Sequence, residues 1–168
     1  MNQQAEDTEI YPLQPNGMII RLPNVTPEYR SWSEAVKTGA PETKKDSTVN
    51  LISHLFECRA CASYARLLLM WAGKESRVSS EVALEWGREN GLRQTHPFEI
   101  FALSAAHPRM FERFGLSSAG LAATLPVENE EGIFICGVWQ SIQGPRRAQR
   151  VAVHMDFFDR TIFVFAEP

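Results

Sequence analysis

Apolar positions in this chain first recur at helical spacing and then, past Pro126, gather into short β-branched and aromatic runs. Tyr29, Trp32 and Val36 make one helical stripe, opened by Thr26, Pro27 and Glu28 and ended by Gly39. The longest periodic segment starts at Asp46, Ser47 or Thr48 and runs to about Ala72, where Gly73 stops it. Its Leu51, Leu55, Cys58, Ala62, Ala65 and Leu69 repeat at three- and four-residue steps, which predicts a helix. Ser79 or Ser80 caps another helix through Asn90, with Asn90-Gly91 as its exit. Thr95 and Pro97 open the next, carrying Phe98, Phe101 and Leu103. Pro108 interrupts it at His107, Gly115 closes a short helix with Met110, Phe111 and Phe114, and Ser117 starts a further turn or two.

The strand signals are shorter. Met18 to Leu22 predicts a brief strand. Ile133 to Trp139, Arg150 to Phe158 and Thr161 to Ala166 predict three antiparallel strands, with Gly144-Pro145 in a long connection and Asp159-Arg160 in a tight turn. The expected fold is α+β: a helical N-terminal two-thirds packed on a C-terminal antiparallel sheet of three or more strands. Residues 1–16, polar and holding Pro12 and Pro15, read as a flexible arm, and 17–168 as a single domain.

Composition narrows the classes. At 168 residues the chain is one domain long and needs no metal or disulfide to build a core. A net charge of −3 argues against a nucleic-acid partner, which asks for a strongly basic face. Three cysteines, Cys58, Cys61 and Cys136, are an odd number and read as reduced thiols. The start, MNQQAEDTEI, has neither the basic nor the apolar region of a cleavable signal peptide. The longest apolar run, Leu67 to Ala72, is too short for a membrane span. The expected location is therefore cytoplasmic, or exported by a specialised secretion system.

Two constellations carry candidate chemistry. On a helix, His54, Cys58 and Cys61 share a face and are zinc-type ligands, with His96, His107, Cys136 or His154 as a fourth. That face is also the apolar one, where a free cysteine behaves as a small hydrophobe, so no metal or cofactor is assigned. The other is a thiol nucleophile, Cys58 or Cys61, with His154 as base. Such a thiol needs a lowered pKa, supplied by a helix N-terminus or an imidazolium. An acceptor must orient the imidazole. Asp156 shares the strand face of His154, and a turn at Asp159-Arg160 makes Glu167 its diagonal neighbour across the strands, so either carboxylate fits that role.

Cys58 with Ser63-Tyr64-Ala65 behind it, Gly132 to Trp139, and His154 to Asp159 together resemble the papain-like cysteine hydrolases, in their compact bacterial branch of cell-wall amidases and secreted effector proteases. The resemblance spans residues 50 to 166 in order. It implies amide-bond cleavage in a peptide or peptidoglycan substrate, with Cys58 (or Cys61) as nucleophile, His154 as base and Asp156 or Glu167 as orienter. In a second register Arg150 takes the base position. Arginine is never deprotonated in proteins, so that register makes a catalytically silent relative.

A reading from another class is a non-catalytic binding module: an immunity, adaptor or regulatory protein using an exposed sheet or the arginine loop. That loop places Arg146, Arg147 and Arg150 within five residues, a pattern suited to carboxylate or phosphate. Phe157, Phe158, Phe163 and Phe165 read as core, with a sheet face left for a partner if helices cover only one side.

Overall fold

A computed structural model describes residues 9–13, 17–25, 29, 31–50, 65–73, 79–153 and 160–168. Along the chain they form β1 (Glu9–Leu13), β2 (Gly17–Val25), α1 (Trp32–Gly39), β3 (Ala65–Trp71), α2 (Ser80–Glu89), β4 (Arg93–Gln94) and α3 (Pro97–Ala106). A 3₁₀ turn, Met110–Phe114, leads to β5 (Ser118–Ala123), β6 (Val127–Asn129), β7 (Gly132–Ser141), β8 (Arg147–Ala152) and β9 (Thr161–Ala166).

All nine strands belong to one sheet. Strands β1, β2, β3 and β9 follow one another antiparallel, then β5 lies parallel to β9, and β7 and β8 complete the order. β4 continues the β5 position along β9, and β6 continues it along β7. Thr95 and Thr124 seal the first junction. Both hydroxyls donate to the Val164 carbonyl, at 2.6 and 2.8 Å, and each backbone N–H donates to the other threonine's Oγ1. A carbonyl between two strand ends thus finds the donors that neither ladder offers it.

The expected helical two-thirds on a C-terminal sheet is overturned: four strands precede residue 95, the described helices are three, and the sheet is mixed and central. The largest error lies at Ala65–Trp71, read as the end of a long helix. Here Leu67, Leu69 and Trp71 enter one core, and Leu68 and Met70 enter a second on the opposite face. A strand covered on both sides has no polar positions, so its leucines match helical steps as well as any helix. The preceding part of that segment, 51–64, lies outside the described residues. Ser118–Ala123, expected to begin in a helical turn at Ser117, is the central strand β5. Its small residues have poor strand propensity, and its position between β7 and β9 decides its conformation. Five residues of the segment read as an arm, Glu9–Leu13, pair with β2.

The expected hairpin of 150–158 with 161–166 is also overturned. β9 pairs with β3, β4 and β5, while β8 pairs with β7. β5 and β7 therefore stand between β8 and β9, and strands about 4.8 Å apart put the two axes roughly 14 Å from each other.

Helix punctuation was partly legible. α1 starts later than Thr26 suggests, because Ser31 is the cap, its Oγ accepting from the Glu34 N–H (3.1 Å). α2 begins after Ser79 and ends at Asn90, as expected. In α3 Pro97 holds the first position, but His96 is the cap: its Nδ1 accepts from the Phe98 N–H (3.1 Å), and Glu99 accepts from the His96 N–H (2.7 Å). The nearly buried Glu99 carboxylate also receives Arg93 through two nitrogens.

α1 and α3 cover one face of the sheet and α2 sits on the other. Pro97 through Ser104 are all buried, so α3 is a core helix rather than a surface one. α2 lies close to β9, with Trp86 5.6 Å from Phe165 between ring centroids. Phe163 and Phe165 are buried core, as expected; Phe157 and Phe158 lie outside the described residues.

Candidate functional site

Of the residues expected to carry chemistry, Cys58, Cys61, His154 and Asp156, together with His54, lie outside the described residues. Glu167 is described and sits away from β8. Its Oε1 meets Arg21 Nε at 3.0 Å and its N–H donates to the Arg66 carbonyl (2.9 Å), which ties it to β2 and β3. The residue facing Phe165 is Leu68 on one side and Gln94 on the other. The diagonal placement that made Glu167 a partner for His154 depended on the overturned hairpin.

Cys136 sits on β7, fully buried and without a disulfide, and burial alone pushes its thiol far above the ordinary range. It is a core atom group, not a nucleophile or ligand. Iodoacetamide at neutral pH is expected to leave Cys136 unmodified in the folded protein and to modify it fully in urea, with peptide mass mapping as readout. Modification of the folded protein at the rate of a free thiol would refute this placement. Among the described residues no cluster of three or more His, Cys, Asp or Glu could hold a metal.

The arginine loop is built rather than loose. Gly144, at φ +107°, turns the chain after β7, a conformation that side chains with a Cβ avoid. Arg146 then reaches across to α3, its Nη1 donating to the Ser104 carbonyl (2.9 Å) in the last helical turn. Beneath it lies a buried polar line. Gln140 Nε2 donates to Ser104 Oγ (3.1 Å), and Ser104 Oγ donates to the Gly39 carbonyl (2.6 Å). Gln140 Oε1 is buried with no partner among the described residues. This line fixes α1, α3 and β7 to one another. The sequence marks the arginines, but it gives no sign that one serves a helix end.

Beside that line His107 closes α3. Burial lowers its pKa from 6.5, and Arg113 lowers it further. A depressed histidine pKa means that the fold prefers the neutral ring. The resulting stability is present above the ordinary value and is lost as pH falls through the folded one. Comparing melting temperatures from about pH 7.5 to about pH 5, the lead of wild type over His107→Gln should shrink on acidification. A constant or growing lead would contradict it.

Among the described residues no strand lies beyond β8, which forms one edge of the sheet. The Val153 N–H donates to the Ile133 carbonyl (2.9 Å), which fixes the parity of the ladder. Arg147, Gln149 and Val151 therefore turn their backbone groups to β7, and Ala148, Arg150 and Ala152 turn theirs outward. Residues 41–43 cover the first part of this edge: Pro41 bridges Arg147, the Glu42 N–H donates to the Arg146 carbonyl (3.1 Å), and the Ala148 N–H donates to Thr43 Oγ1 (2.8 Å). Beyond Ala148 N–H, the outward groups have no partner among the described residues. Arg150 lays its guanidinium 4.4 Å from the Phe134 ring centroid and gives Nη2 to Glu131 (2.5 Å), while Nη1 has no acceptor among the described residues.

A hollow of about 280 Å³ opens between β2, β3 and the end of α2, lined by Ile19, Arg21, Leu68, Trp86, Asn90 and Leu92. Two of its polar side chains are engaged within the protein: Arg21 with Glu167, and Asn90 Nδ2 with the Trp86 carbonyl (2.7 Å). Among the described residues no helix is long and apolar enough to cross a membrane. No family model, no curated protein and no solved structure matches this chain.

Proposed function

We propose that this protein is a non-catalytic binding module that takes a partner at the β8 edge beside the arginine loop. The observation that carries the reading is the outward-facing backbone of Arg150 and Ala152, on the part of β8 that no described residue covers. Native proteins usually blunt such an edge with charge, proline or a covering loop. Here Pro41 and its neighbours do so for the first residues of β8 and stop at Ala148. The loop around the edge is rigidly seated on α3 by Arg146, which presents the surface without an ordering cost on binding.

The cysteine-hydrolase reading is the rival, and it rests on the order of Cys58 or Cys61 before His154 with Asp156; Glu167 no longer supports it. Two experiments separate the readings. Peptides selected from a displayed random library on the wild-type protein should lose at least tenfold in affinity for Arg147→Glu/Gln149→Glu, a change at two exposed edge residues. Iodoacetamide modification of Cys58 and Cys61 should show no His154-dependent rate at about pH 6. Selected peptides indifferent to the double variant, or a thiol reactive at that pH and silenced by His154→Ala, would overturn the binding-module reading.

A further inference from the structure

We infer that the occupant of the β8 edge is an extended acidic segment of a partner protein, added antiparallel or parallel as a further strand; this rests on the binding-module reading. The edge supplies a short ladder: the Ala148 carbonyl, both backbone groups of Arg150 and the Ala152 N–H. That is enough to pair three to five residues of an extended chain, the mode in which main-chain bonds give affinity and alternate side chains give specificity.

Charge selects the sign of the segment. The protein as a whole carries −3, yet Lys44, Lys45 and Arg147 are exposed around this edge, with Arg146 beside them. Among the described residues Glu42, Asp46 and Glu131 oppose them nearby; the Glu42 carboxylate already accepts the Arg146 N–H (2.8 Å) and Glu131 is paired with Arg150. Arg150 adds a second, independent reason. Its guanidinium has one terminal nitrogen on Glu131 and the other without an acceptor among the described residues, a costly state for a largely buried cation. On an added strand the residue directly opposite Arg150 shares its face and lies within cross-strand reach. A carboxylate there supplies the missing acceptor.

The other face of the added strand meets different chemistry. Val151 is half-buried, and Ile133, on the same face of neighbouring β7, is 44% exposed. The segment that fits therefore alternates acidic and apolar residues, with the acids on the Arg150 side. A second copy of this chain fits poorly. Reciprocal pairing through Arg150 places it opposite the Arg150 of the other copy, and the lysines and Arg147 of both copies gather at one seam.

The test uses the full chain and a ten-residue peptide alternating glutamate and valine. Calorimetric titration is expected to show binding that falls at least tenfold when lysine replaces glutamate, when alternate peptide nitrogens are methylated, and when the protein carries Arg150→Gln, the side chain on the acid-facing side of the strand. Hydrogen exchange at the Arg150 and Ala152 amides is expected to slow at least tenfold in the complex. N-methylation protects against any loss of folding in the protein variant, because it alters only the peptide. Equal binding of the N-methylated peptide would leave a charge contact alone and overturn strand addition. An acidic peptide that fails to bind, while library-selected peptides still depend on Arg147 and Gln149, would overturn the occupant and leave the binding-module reading standing. Library peptides that also ignore the edge would remove both. Self-association of the protein that the peptide competes away would make a second copy the occupant and overturn the acidic segment.

Discussion

Phe101→Ala should lower the unfolding free energy by about 3–5 kcal/mol, the largest loss expected from a single side chain in this fold. Phe101 is fully buried at the centre of α3, edge-on to Trp32 with ring centroids 5.4 Å apart. The void would open between α1, α3 and the sheet. Nothing there can collapse easily, because Ser104 and Gln140 pin α3 to α1 and β7 one turn further along. Urea unfolding followed by tryptophan fluorescence measures the loss. A change below about 1.5 kcal/mol would mean that the helices close over the gap, contrary to the rigid polar line described above.

Gly39→Ala is expected to destabilise by about 2 kcal/mol, against the usual direction. In an open helix this exchange stabilises by roughly 1 kcal/mol, since alanine is the better helix former. Gly39 lies within α1, and a Cβ there would stand 2.4 Å from the Phe101 carbonyl oxygen and 2.5 Å from its Cα. Those are backbone atoms, which cannot rotate away. Overpacking of this kind costs about 1–3 kcal/mol and reverses the propensity gain. The two predictions are linked in a way that tests the cause. Removing the Phe101 ring leaves both clashing backbone atoms in place, so Phe101→Ala should not rescue Gly39→Ala in the double variant. Rescue would locate the conflict in the ring instead.

How far the sequence spoke depended on what each segment answers to. α2, β7 and β9 follow local rules: a serine cap, an Asn-Gly exit, runs of β-branched and aromatic residues. The start of α1 was misplaced because two capping signals, Thr26-Pro27 and Ser31-x-x-Glu34, stand five residues apart, and local chemistry does not rank them. β3 and β5 answer to neighbours far along the chain, so leucine spacing in one and the start signal at Ser117 before the other pointed to helical structure. Strand order was the least legible property. Adjacent strands in sequence suggested a hairpin of β8 with β9, and that single error carried Glu167 into a site it does not enter. In the candidate site, three arginines in five residues were visible from the start. The task of Arg146 at the end of α3 and the stacking of Arg150 on Phe134 needed the fold. Cys136, weighed in the sequence as a fourth metal ligand, had one clue to its real place, the apolar run around it, and it is a buried free thiol.

The position of β9 bears on how this molecule assembles. Last in chain order among the described strands, it lies between β3 and β5 and is paired along both sides. Until it arrives, β1–β2–β3 and β5–β7–β8 are two separate half-sheets with facing open seams. During synthesis the earlier segments must therefore wait, holding apolar surface exposed, for a strand made after all of them. Closing such a gap joins residues nearly a hundred positions apart, which predicts slow folding and a long interval in which another chain's strand can enter the slot. The same seam, once filled, makes β9 the keystone: amide exchange there should report global unfolding while the β8 edge opens on its own.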